Sequence, residues 1–311
     1  MYPIRFDPLY QFYIWGGNRI LERFNRLVPS GFCAESWEIA DRDEGRSRIA
    51  NGPWEGRDLN ALVVELQERL LGKGRFHTRF PLLVKLLDAK ENLSVQVHPD
   101  ETTAPLLGGE PKTESWVVLE DGIVYSGLRQ GTTQDRFQQA LKEGNPESLL
   151  QKIPVAAGDA MYIPAGRIHA IGSGCLFLEV QQNSNTTYRL YDWGRAGRDL
   201  HLEKAFASVH WQDQTSVAAA PERITEDEHH ILDGLIQSVY FLIDRVRVID
   251  YWNIPTNPNT FQVFFFLSGE GMIQVDQTTE PFYPGSTYLV PAAAQFIRIE
   301  GSSQAIRICL P

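Results

Sequence analysis

Two imidazoles, one carboxylate and one amide recur in this chain at spacings that suit a divalent metal. Gln96 and His98 stand two apart in Ser94-Val95-Gln96-Val97-His98-Pro99-Asp100, as do Lys112 and Glu114 in Lys112-Thr113-Glu114. On a strand, that spacing puts both side chains of a pair on one face. His169 closes a Gly-x5-Pro-x-Gly-x2-His pattern that begins at Gly158 and sets an imidazole on the strand after a tight turn. These nitrogen and oxygen donors are what a first-row dication takes when its site must stay open to a substrate.

Each residue also has a plainer reading. A lone histidine on an apolar strand is usually a satisfied structural residue, and His77, His201, His210, His229 and His230 lack the frame that sets His98 and His169 apart. Glu114 could be a solvated strand edge, but a dication offsets the cost of burying a carboxylate. Gln96, with a neutral amide oxygen, is the weakest candidate ligand. Lys112 would share the face of Glu114, where a dication favours the neutral amine and so suits it to general-base work. The segment from Glu179 to Arg195 is dense in polar groups, and its Arg189 and Arg195, followed by Arg198, suit an anion or a developing oxyanion.

Short strands must position these groups. Strand patterns cover 80–87, 93–98, 115–119, 123–127, 160–163 and 176–181, and after a polar connector over 215–230 they resume at 239–244, 247–252, 261–267, 271–275, 286–290 and 295–300. Gly and Pro interrupt them often, which indicates a barrel or a sandwich. Two helices are expected. One spans 58–71, capped by Asp58 and ended by Gly72; the other spans 133–150 and breaks near Gly144-Asn145-Pro146. The run from Gly158 to His169 is echoed by Gly285 to Gln295, with no second histidine, which suggests a repeated β-barrel unit. The expected division is 1–215, holding the metal site, and 231–311, a β domain without one.

The 311 residues are 43% hydrophobic and 22% charged, ordinary for a globular protein with a substantial core. A net charge of -10 argues against non-specific binding to nucleic acid or anionic membrane. No run approaches the ~18 apolar residues of a membrane span. Three scattered cysteines and a start without a signal-peptide pattern predict a cytoplasmic protein. The sequence carries no signal for oligomeric state.

Taken together, these residues resemble the type I mannose-6-phosphate isomerases, in particular their short bacterial form in the cupin superfamily. The matching marks are Trp15-Gly16-Gly17, Phe80-Pro81-Leu82-Leu83-Val84-Lys85, Ser94 to Asp100, Lys112-Thr113-Glu114, Pro164 to His169, and Glu179 through Arg195. The resemblance covers about residues 1–210 well, and the rest as a degenerate cupin. It implies a mainly β fold of two cupin-type (jelly-roll) barrels with a few helices, the second barrel degenerate. It implies one Zn2+ per chain on Gln96, His98, Glu114 and His169. By the same resemblance Arg189 is the catalytic arginine, Glu179 the pocket acid, Ser94 a substrate contact, Lys112 a proton-transfer group and Arg195 a residue suited to phosphate.

The implied reaction interconverts mannose 6-phosphate and fructose 6-phosphate through a cis-enediol, so the expected partner is a small phosphorylated sugar. Two rivals stay open: an Fe(II) cupin oxygenase, which two histidines and a carboxylate also suit, and a sugar-phosphate-binding regulatory protein without turnover.

Overall fold

The computed structural model describes residues 1–28 and 30–311 and is built mainly of β-strands, as the sequence predicts. Strands Leu82–Ala89, Val95–Val97, Glu114–Glu120, Gly122–Leu128, Ala160–Ile163 and Cys175–Gln182 fall on the expected patterns. The first expected helix is two pieces, Leu59–Leu66 and Glu68–Leu71, parted by Gln67 at φ +44°. Asp58 caps it, accepting from Ala61 N–H at 2.8 Å. The second is Gln134–Glu143, capped by Thr133 and ended by left-handed Gly144, with a 3-10 turn at Pro146–Leu149.

The connector contains a strand that sequence patterning missed. Glu222–Glu226 is exposed on both faces, so it shows no alternation of apolar and polar residues. The strand boundaries after it also shift: the chain pairs over His230–Gln237 and Leu242–Val248 rather than 239–244 and 247–252. A final strand, Ser303–Cys309, was also unforeseen.

The chain divides into two compact units that are not the sequential pieces 1–215 and 231–311. One comprises residues 1–9, 37–83 and 220–311; the other comprises 10–36 and 84–219. The cause is long-range strand pairing: Ile4–Asp7 pairs with Thr287–Val290 and with Arg48–Ile49, so the N-terminus completes the C-terminal sheet. That pairing leaves no local sequence signal. In this unit an eight-stranded sheet and a four-stranded sheet enclose an aromatic core of Trp252, Phe264, Phe266, Phe282 and Tyr288.

In the other unit, a five-stranded sheet runs in the order 150–155, 122–128, 169–171, 95–97, 188–191. Its register sets His169 opposite Gln96, and Gln96 opposite Arg189, so three site side chains form one row across adjacent strands. A second sheet carries Glu114–Glu120 beside Cys175–Gln182, with Glu114 opposite Gln181 and Trp116 opposite Glu179. Residues 84–89 follow, then residues 35–36. Buried apolar residues such as Leu87, Val118, Phe177, Val95, Val97 and Leu190 pack behind both rows.

Candidate active site

The two rows meet at Glu114. His98 Nε2 lies 3.2 Å from its Oε2, and His169 Nε2 lies 3.3 Å from its Oε1. All three residues are buried, and their ligand atoms lie within 4.8 Å of one another. The frame around His169 explains its position. Gly166 turns the chain at φ +83°, and a Cβ there would fall 2.4 Å from the His210 ring, so only glycine fits. The strand then starts at His169.

Backbone carbonyls orient both rings. His98 Nδ1 donates to Thr186 O at 2.9 Å, and His169 Nδ1 donates to Arg167 O at 2.9 Å. Each Nε2 is left with a lone pair directed at Glu114, the outer-shell arrangement that prepares an imidazole for a metal. Burial, with Lys112 adding to it, pushes His98 down to about 3, so its ring is neutral. Burial works against the charge of Glu114, but Lys112 foremost among its neighbours holds this carboxyl well below the ordinary range.

His98 Nε2 and Glu114 Oε1 are buried without a hydrogen-bond partner, and Glu114 Oε2 meets only the Lys112 ammonium as a donor. Lone pairs facing one another across about 3 Å repel unless a cation lies between them. The donor set and these orphaned atoms therefore fit a bound dication. Lys112 Nζ, 2.7 Å from Glu114 Oε2, supplies only part of that charge. The Gln96 amide stands against His169, Nε2 to Nε2 at 3.2 Å, and a half-turn of the amide brings its oxygen into that place. Ser94 Oγ donates to the same amide at 3.3 Å.

A cavity of about 410 Å³ opens beside this cluster, large enough for a hexose phosphate. Ser94, Gln96, Lys112, Glu179 and Arg189 line it, which brings together five of the residues singled out in the sequence. Burial raises the pKa of Glu179, and the neighbouring Glu114 charge adds to that rise. Its Oε1 accepts from Trp116 Nε1 at 2.9 Å, and its Oε2 lies 2.7 Å from Lys85 Nζ. Arg189 is half-buried, its Nε has no hydrogen-bond partner, and among the described residues no carboxylate lies within ion-pair distance of it. Burial and the charge of Arg198 push its pKa below the ordinary value.

Arg195 is placed elsewhere. Its guanidinium bonds Asp192 at 2.7 Å and Asn92 O at 2.7 Å and reaches Glu91 at 3.3 Å, and it does not line the cavity. Arg198, also paired with Asp192, does line it. Sequence reasoning also missed Lys85 and Glu35. Lys85 is buried between Glu179 and Glu35, 3.4 Å from the latter, and these carboxylates overcome burial and raise its pKa. A signal was present: a lysine inside Leu82-Leu83-Val84-Lys85-Leu86-Leu87 implies a buried and therefore paired charge.

A model of the type I phosphomannose isomerase catalytic domain matches residues 4–115. Mannose-6-phosphate isomerase ManA of Bacillus subtilis (strain 168) is 33% identical over 98% of each chain. The mannose-6-phosphate isomerase of Streptococcus mutans is 42% identical over 62% of this chain and 63% of that one. The crystal structure of the mannose 6-phosphate isomerase from Bacillus subtilis superposes with a TM-score of 0.92 at 30% identity, covering 99% of each chain. With full-length identity of that order joined to a buried His98–Glu114–His169 cluster, the chain belongs to the type I mannose-6-phosphate isomerase family.

Proposed function

We propose that this chain interconverts mannose 6-phosphate and fructose 6-phosphate at the cavity beside Glu114, with zinc held by His98, Glu114, His169 and the Gln96 oxygen. The observation that carries the reading is the set of orphaned lone pairs on His98 Nε2 and Glu114, next to a cavity that also holds an uncompensated guanidinium, Arg189. When bound, the metal supplies Lewis-acid polarisation of the sugar oxygens and compensates the Glu114 charge.

The chain's own residues supply the rest. Isomerisation moves one proton between C1 and C2 and builds negative charge on oxygen. Lys112 Nζ, at the cavity wall, is suited to carry that proton. His98 is not, because its two nitrogens face Thr186 O and Glu114. Glu179, fixed by Trp116 and Lys85, offers a second carboxyl that burial disposes to hold a proton. Arg189 stabilises the enediolate oxygen without having to break an existing ion pair. Arg198 rather than Arg195 is the guanidinium placed to meet the phosphate. The site residues all belong to the unit of residues 10–36 and 84–219. Three buried cysteines, none in a disulfide, suit a reducing cytoplasmic setting.

Incubating the protein with mannose 6-phosphate in D2O tests the proposal. Fructose 6-phosphate should form, with solvent deuterium entering the carbon-bound position that is transferred. Sugar-phosphate binding without product would contradict it and favour a binding protein; oxygen uptake with bound iron would favour an oxygenase.

A further inference from the structure

His201 has no part in the roles assigned above, yet it lines the same cavity as Arg189, Arg198, Asn185 and Thr187. Two bonds lock it to Arg189. His201 N–H donates to Arg189 O at 2.8 Å, and Arg189 N–H donates to His201 Nδ1 at 3.2 Å. A ring nitrogen that accepts an N–H carries its lone pair, so in the neutral ring the proton sits on Nε2. Burial and the Arg189 charge lower its pKa, which keeps the ring neutral near pH 7. His201 precedes helix Leu202–Ser208 but makes no side-chain capping bond, so its donor is not spent on the helix. Nε2–H meets no protein acceptor among the described residues.

We infer that His201 is a substrate-binding residue whose Nε2–H donates to a phosphate oxygen, beside the Arg189 and Arg198 guanidiniums. The nature of the ligand rests on the isomerase reading. A locked neutral donor adds directionality to two cations that would otherwise hold an anion loosely, and it favours a phosphate monoester over an uncharged sugar. Its second bond, to the Arg189 backbone, ties recognition of the phosphate to the position of that arginine.

Two substitutions separate the ring's two ends. In His201→Asn the side-chain oxygen falls near the Nδ1 position, so the acceptor for Arg189 N–H is kept and the donor is lost. In His201→Gln the amide nitrogen reaches the Nε2 position, so the donor is kept. His201→Asn should raise KM for mannose 6-phosphate about tenfold or more, with a smaller change in kcat and unchanged metal content. His201→Gln should recover most of that KM. A wild-type KM in His201→Asn overturns the inference. So does a fall in kcat for His201→Gln with His201→Asn near wild type, which would mean that the ring merely positions Arg189.

Calorimetric titration of inorganic phosphate into the metal-loaded wild type and His201→Asn reads the same donor without turnover. Weaker phosphate binding by the variant upholds His201 even if mannose 6-phosphate proves not to be the substrate; equal affinity overturns it. A thermal midpoint near that of the wild type verifies that each variant is folded.

Discussion

The chain uses one local pattern twice, with opposite results. Gly158 to His169 and Gly285 to Phe296 share a turn, a four-residue strand (Ala160–Ile163, Thr287–Val290), a proline and a second turn. In the first, the strand after the turn begins with His169, buried against Glu114. In the second, Phe296 takes the corresponding place and is 40% exposed. The interiors differ in the same sense. Around the second copy, Phe266 and Phe282 stack at 3.8 Å and 9°, among Phe264, Trp252 and Tyr288. Charges in that unit are paired: Asp244 with Arg307 at 2.6 Å, and Asp233 with Arg223 at 2.6 Å. Around the first copy, the buried His98 Nε2 and Glu114 Oε1 have no hydrogen-bond partner. The shared backbone pattern does not make a site; a polar interior left incomplete by the protein alone does.

The comparison breaks first at the proposed metal ligands. His98→Ala or His169→Ala should abolish metal retention, measured by elemental analysis, and lower kcat/KM by about 10³-fold or more. Full activity in metal-free His169→Ala would show that the site is misassigned. Arg189→Ala should lower kcat by about 10²- to 10³-fold while metal content stays intact; loss of metal would show that Arg189 supports the ligands instead. In the aromatic interior, Phe266→Ala should cost about 3–5 kcal/mol in denaturant unfolding and leave the metal content of the folded protein unchanged.

Phe296→His sharpens the contrast. It restores the histidine of the pattern to the second copy, but without partners resembling His98 and Glu114 the protein should bind no additional metal equivalent. The smallest effect concerns Asp213, which supports Arg167, whose carbonyl orients His169. Burial opposes the Asp213 charge, but Arg167 and Thr215 hold its carboxyl down at about 2. A depressed carboxyl contributes stability above its unfolded value of about 3.9, and that stability is lost as pH falls toward 2. Because Asp213 remains partly exposed, Asp213→Asn should cost no more than about 1 kcal/mol at pH 7 and flatten this acid limb of the stability curve.

The buried cluster was legible in the sequence because alternation along a strand is local: a spacing of two between Gln96 and His98, and between Lys112 and Glu114, already fixes a shared face. The helix over 58–71 was legible through its cap, but its break at Gln67 was not, since a left-handed glutamine has no compositional signature. Lys85 and Glu35 escaped because their meeting depends on strands about fifty residues apart in sequence becoming neighbours in a sheet. The choice between Arg195 and Arg198 lay in a loop, where Asp192 binds both guanidiniums and only the fold decides which one reaches the cavity. The N-terminal strand's partnership with Thr287–Val290 spans nearly the whole chain and has no local trace, so the sequential division into 1–215 and 231–311 could not anticipate it.

The central claim is that turnover belongs to a metal completing the His98–Glu114–His169 cluster. Titrating zinc into chelated protein while following formation of fructose 6-phosphate from mannose 6-phosphate tests it most directly. Activity should start near zero and rise linearly to a plateau at one equivalent per chain. Full turnover before zinc is added, or none once an equivalent is bound, would contradict the account.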